Sequence, residues 1–220
     1  MSILRRCWLF AVASIIAFGP ASAATPDQVS SFFRSVQMDD AGSVRKMLAA
    51  GTLSPNAVDP ISGESGLLVA LREGSARVAG VLLDQPALDV EQKAPNGNTA
   101  LMMAAFKHNK PVVLALLAKG AIVNRPGYTA LHFSAASGDD EITKILLDHH
   151  AYLDAEAPAK ITPLMMAARE GHESTVQLLL DEGADATLKN TESLTAAQIA
   201  QRADKPRIAA AIAAHLAAHR

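Results

Sequence analysis

Seven histidines, seven methionines and one cysteine are the side chains of this 220-residue sequence with the widest choice of chemistry. Metal ligation needs two or more such groups on one face, and nucleophilic catalysis needs an activating base beside the nucleophile. His149 and His150 are adjacent, so on a helix they point in different directions and chelate poorly. No H-E-x-x-H, no G-x-S-x-G and no phosphate-cradling glycine loop is present. Met102-Met103 and Met165-Met166 are matched pairs that could make an adaptable apolar surface or a soft copper site. The plainer expectation is that one of each pair fills the core and the other lines a groove. Asp139, Asp140 and Glu141 are expected at a helix start, where carboxylates meet the positive end of the dipole. These spacings predict no catalytic centre, no cofactor and no metal site. A small hydrolase or redox-protective enzyme using His and Met is the alternative.

Arg5 and Arg6 precede an almost unbroken apolar run from Cys7 to Phe18, followed by Gly19-Pro20 and the small residues Ala21, Ser22 and Ala23. The run is short for a span of ~20 residues, and the flanks are those of a secretory leader cut after Ala23 or Ala24. An uncleaved anchor is the alternative; Cys7 lies on the wrong side of the run for a lipoprotein. Cleavage removes the sole cysteine and the sole tryptophan, Trp8. The remainder is thiol-free, which suits an oxidising compartment and rules out disulfides, thiolate catalysis and Cys-zinc sites. The expected product is one domain over residues 24–220, a periplasmic (or secreted) monomer with no membrane span.

Half of the residues are apolar, 19% are charged and the formal net charge is −2. That composition excludes a disordered chain, and the balance is unlike the basic face of a nucleic-acid binder. The chain repeats itself. Residues 99–105 (TALMMAA), 129–135 (TALHFSA) and 162–168 (TPLMMAA) are variants of one string, with threonines 30 and 33 residues apart. The register continues to Thr195 and runs back through Ser65 to Ser30. A second apolar block follows each start, as in Val81-Leu82-Leu83, Leu116-Leu117, Leu146-Leu147 and Leu178-Leu179-Leu180. In each unit a Thr or Ser caps a short, alanine-rich inner helix, and Gly74, Gly138 or Gly171 supplies a left-handed link. A second helix with a leucine seam then ends at Gly51, Gly120 or Gly183. Neither helix buries its apolar face alone, so the units must stack.

These strings resemble ankyrin repeats, whose signature T-P-L-H-x-A recurs every 33 residues. Residues 162–187 (TPLMMAAREGHESTVQLLLDEGADAT) match nearly throughout. As a whole the chain is similar to small exported ankyrin proteins of Gram-negative bacteria. The resemblance implies an all-α solenoid of about six helix-turn-helix units with hairpin-like fingers, starting near residues 30, 65, 99, 129, 162 and 195. It implies a non-enzymatic module that binds another protein in a concave groove, in the periplasm or as an effector inside a host cell. His132 would hydrogen-bond between repeats. The groove positions, two after each alanine pair and one before each threonine, map to Arg72, Glu73, Phe106, Lys107, Ala136, Ser137, Arg169, Glu170, Arg202 and Ala203. Glu64, Asn98, Tyr128 and Ile161 fall in the fingers. Phe106 and Tyr128 are the strongest candidates, because exposed aromatics dominate interfaces. The opposing expectation turns Phe106 into the core and leaves the Arg-Glu pairs as solvated surface.

Departures from the pattern carry expectations too. The turn before Thr129 is about three residues short and should leave a notch in the row of fingers. Asp39, His108 and Asp204 stand where glycine is usual, in positions that require positive φ. The last unit, ending in an alanine-rich helix with Ile208, Ile212 and Leu216, reads as a C-terminal cap. His215, His219 and Arg220 suit the negative end of that helix.

Overall fold

The computed structural model describes residues 24–219; the expected leader over 1–23 lies outside the described residues, as does Arg220. Twelve α-helices follow in chain order among those residues. They are α1 (Pro26–Gln37), α2 (Ala41–Ala49), α3 (Gly66–Glu73), α4 (Ala76–Leu83), α5 (Ala100–Phe106) and α6 (Lys110–Ala118). Then come α7 (Ala130–Ser137), α8 (Asp140–Asp148), α9 (Pro163–Glu170), α10 (Glu173–Asp181), α11 (Ala196–Arg202) and α12 (Pro206–Ala218). Short links make six antiparallel pairs. β pairing is confined, among the described residues, to isolated bridges such as Val58–Ser65 and Ala157–Ile161 at finger bases.

Local chemistry sets the helix ends. The hydroxyls of Ser65, Thr99, Thr162 and Thr195 each accept from the N–H three residues on, at 3.3–3.4 Å. The first unit differs from the register, which places its start near Ser30. Thr25 caps α1 instead, its N–H donating to Gln28 Oε1 at 2.8 Å and its hydroxyl accepting from Gln28 N. A local capping box decides the start. The left-handed links are as the register predicts: φ is 76° at Gly74 and Gly138, and 53°, 55° and 57° at Asp39, His108 and Asp204.

Small residues hold the inner helices together. Ala100, Ala104, Ala105, Ala130, Ala135, Ala167, Ala168, Ala196 and Ala200 are all buried, so α3, α5, α7, α9 and α11 approach closely in turn. The outer helices carry bulkier leucine, isoleucine and valine seams and approach one another less closely than the inner helices do. One apolar cluster runs from Phe32 to Ala151 and a second from Ala135 to Ile212. Around their junction lies a polar seam. Thr143 Oγ1 donates to Ser134 Oγ at 3.0 Å, and Thr175 Oγ1 donates to Asp140 at 2.5 Å.

A ladder of side chains ties successive finger loops. Asn56 accepts from Asp89 N–H (2.7 Å) and donates to the Ala87 carbonyl (2.8 Å). Glu91 accepts from Ile122 N–H (2.8 Å), and Asn124 accepts from Tyr152 N–H (2.8 Å) while donating to the His150 carbonyl (2.7 Å). Asp154 accepts from Asp185 N–H at 3.1 Å; burial pushes its carboxyl above the usual range despite that bond. Between α6 and α7 the connection spans only residues 119–129, against 149–162 between α8 and α9. This shortened finger, the notch, ends at Tyr128, just before Thr129.

Candidate functional site

The fourth residue after each cap faces the inner side of the stack. In successive units these are Val69, Met103, Phe133, Met166 and Ile199; Val69 is buried and the other four are half-buried. Three residues further on come Arg72, Phe106, Ala136, Arg169 and Arg202, near the open rim. Met102 and Met165 fill the core, at 3% and 2% exposure, while Met103 and Met166 line the groove. Helix α7 stands between α5 and α9, so Phe133 separates the two groove methionines and they cannot share one metal ion.

Aromatic side chains gather beside the notch. Phe106 is 46% exposed and Tyr128 37% exposed. Phe133 lies between them, edge-on to Phe106 at 6.2 Å and to Tyr128 at 6.1 Å between ring centroids. Phe106 is therefore not a core residue. Tyr128 also meets the His132 ring edge-on at 5.5 Å. His132 is fully buried, and the Thr129 N–H donates to its Nδ1 at 3.2 Å. That leaves the proton on Nε2, which donates to the Ile161 carbonyl in the next finger at 2.9 Å. Burial pushes the His132 pKa down, against the opposing pull of that carbonyl. The imidazole positions the aromatic floor and is committed to the fold. Lys107, exposed at the end of α5, flanks the cluster.

The other expected positions divide by what already occupies them. Arg72 pairs with Glu64 and with Glu73, the latter at 3.0 Å. Glu64, expected in a finger, is a buried partner of that arginine instead of a presented group. Ser137 Oγ turns inward and donates to the carbonyls of Ala105 (3.4 Å) and Ser134 (3.1 Å), tying α7 to α5. Asn98 is half-buried, and its carbonyl accepts from Ala94 N–H at 2.8 Å to close its finger. Arg169 and Glu170 are exposed and bonded at 2.9 Å, with Arg169 also 3.4 Å from Met166 sulfur. Ile161, Arg169, Ile199 and Arg202 surround a cleft of about 280 Å³ closed by Asn190, Glu192 and Leu194. Arg202 reaches across it to Glu192 at 2.6 Å.

The structure thus assembles Phe106, Tyr128 and Lys107 at one place and Ile161, Arg169 and Glu170 near another, with Arg72 and Glu73 at the far end. Sequence reading missed Phe133, Ile199, Glu192 and Leu194. Phe133 and Ile199 were legible in principle, because they occupy the methionine position of the repeat. Among the described residues no group of three or more His, Cys, Asp or Glu is placed to hold a metal ion, and no helix is long and apolar enough to cross a membrane.

Comparisons with known proteins agree with this geometry. The family model described as ankyrin repeats (3 copies) matches residues 33–126, 67–159 and 119–190. Protein fem-1 homolog A-like of Mus musculus is 36% identical over 104 residues, covering 46% of this chain and 16% of that protein. Transient receptor potential cation channel subfamily A member 1 of Homo sapiens is 30% identical over 161 residues, 68% of this chain and 14% of that one. SH3 and multiple ankyrin repeat domains protein 2 of Homo sapiens is 32% identical over 161 residues, 71% of this chain and 9% of that one. The chain spans about a sixth or less of the length of these relatives. Its paired helices, left-handed links and family match lead to one assignment: the chain belongs to the ankyrin-repeat family.

Proposed function

We propose that the protein is an exported, non-enzymatic interaction module that holds another protein against the inner side of its stack. The observation that carries this reading is the cluster of Phe106, Tyr128 and Phe133, two of them more than a third exposed, on a surface where Arg72, Arg169 and Arg202 are already paired with neighbouring glutamates. Aromatic residues held by their neighbours lose little conformational freedom on binding, and such anchors carry most of the energy of an interface. The Arg-Glu pairs of the rim contribute less, since exposed ion pairs are worth ~0–1 kcal/mol. Export to the periplasm rests on the leader pattern of residues 5–23 and on the absence of cysteine from residues 24–220. A soft-metal site shared by Met103 and Met166 would need the two together, and α7 stands between them.

A photo-reactive amino acid placed at Tyr128, and separately at Leu114 on the outer side, tests the reading. Crosslinking in cells, followed by mass spectrometry of the periplasmic fraction, should yield one protein from Tyr128 and not from Leu114. Crosslinks from Leu114 alone would place the binding face on the outer helices. Recovery only from the cytosol would remove the periplasmic assignment.

A further inference from the structure

Two exposed apolar side chains stand where neither the groove nor the stack uses them. Ile122 is 50% exposed and Tyr152 68% exposed, and each follows an outer helix, α6 or α8, by four residues. Both belong to the ladder between finger loops, and so do Asp89 before them and Asp185 after them. Each of the four has its main-chain N–H held by the preceding unit: Asp89 by Asn56 (2.7 Å), Ile122 by Glu91 (2.8 Å), Tyr152 by Asn124 (2.8 Å) and Asp185 by Asp154 (3.1 Å). The row therefore reads acid, aliphatic, aromatic, acid, one unit apart, on a pinned backbone. Asp89 and Asp185 are exposed, and among the described residues neither has an ion-pair partner. Only one oxygen of each is engaged: Asp89 Oδ1 accepts from the Glu91 N–H at 2.9 Å, and Asp185 Oδ1 accepts from the Thr187 N–H at 2.8 Å and hydroxyl at 2.6 Å.

The spacing selects what can lie along this row. Packed helices stand ~8–10 Å apart, so the four positions recur at roughly that interval. A polyproline II strand turns once in three residues and rises ~3.1 Å per residue, which puts every third side chain on one face about 9 Å from the last. A β-strand would turn alternate members of that set away, because its faces alternate. We propose that this edge docks a proline-rich segment of another protein in the polyproline II form, with Arg or Lys at its first and tenth residues and aliphatic side chains at its fourth and seventh. The cations meet Asp89 and Asp185, and the aliphatic groups pack on Ile122 and the Tyr152 ring. Such a strand is already extended before it binds, and aromatic side chains suit its proline faces. The charge match fixes the register and disfavours a second copy of this chain, whose own edge carries the same acids. The row follows the outer helices, whereas the groove lies on the inner ones, so failure of either reading leaves the other intact.

Titration of the ¹⁵N-labelled protein with the blocked peptide Arg-Pro-Pro-Leu-Pro-Pro-Leu-Pro-Pro-Arg, followed by nuclear magnetic resonance, tests the proposal. The amide signals of Ile122, Tyr152 and Asp185 should shift and saturate at one peptide per chain. Tyr152→Ser and Asp185→Lys should each weaken binding about fivefold or more. Both changes keep the main-chain N–H of the ladder, and melting temperatures check that the variants fold. A peptide with glutamate for arginine, and one with a third proline in each spacer, should each lose about as much. Binding that either control peptide retains, or that survives Tyr152→Ser, overturns the proposal. So do shifts centred on Phe106 and Tyr128, or none at millimolar peptide. Shifts of the same amides on raising the protein concentration alone would give the edge to a second copy and overturn it too.

Discussion

At the scale of single residues, the groove and the fold make different demands on neighbouring aromatics. Phe106 projects half its surface into solvent, whereas Phe133 is wedged between Phe106 and Tyr128 on α7. Phe106→Ala should therefore cost under about 1 kcal/mol of stability, and Phe133→Ala about 1–2 kcal/mol, short of the ~3–5 kcal/mol of a fully buried ring. Urea unfolding of both variants checks the order. His132 gives a pH dependence. Burial holds its folded-state pKa below the usual imidazole value of about 6.5, so the unfolded chain takes up the proton first. Its contribution is complete above about pH 6.5 and is lost as pH falls from there through the lower folded-state value. Melting temperatures between pH 7.5 and 5.0 should fall, and His132→Gln should flatten the slope. The candidate groove was only half legible at this scale. Register located Phe106 and Tyr128, but Glu64 and Ser137 point inward because Arg72 and the Ala105 carbonyl recruit them, contacts that no repeat spacing encodes.

At the scale of elements, caps and links made the helix pairs readable. Threonine, the alanine pair and the left-handed residue stand at fixed distances, and each acts on its own neighbours without help from the rest of the chain. The start of α1 escaped that logic because Thr25 and Gln28 satisfy each other locally. Among the links that end outer helices, His150 carries φ of 63° where Gly51, Gly120 and Gly183 use glycine. A left-handed L-residue costs roughly 1–2 kcal/mol, partly offset by the greater freedom of glycine in the unfolded chain. His150→Gly should thus stabilise by about 0.5–1 kcal/mol, since only the His150 backbone carbonyl serves the ladder to Asn124. A rise of roughly 1–3 °C in melting temperature is expected. A fall would mean that the exposed imidazole contributes more than the strain it carries.

At the scale of the molecule, a stack in which each unit touches only its neighbours depends on its ends. Helices α11 and α12 cover Leu164, Leu179 and Leu180, all at 2% exposure or less. Removing residues 195–220 should uncover that seam and cause aggregation or a clearly lower melting temperature; a monomer of unchanged stability would mean the last unit is not a cap. The six-unit stack was the most legible feature of the sequence, because repetition averages out local exceptions. The gathering of aromatics beside the notch was not, since it depends on how Phe133 on α7 meets Phe106 on α5 and Tyr128. The central claim is that the aromatic cluster beside the notch is the binding surface. The direct measurement is the affinity of the crosslinked partner, once purified, for the parent and for Phe106→Ala combined with Tyr128→Ala, with melting temperatures taken on the same samples. The predicted result is a loss of about 2 kcal/mol or more, roughly thirtyfold, with melting within a few degrees of the parent. Unchanged affinity, or a loss that merely follows a collapse in melting temperature, would contradict it.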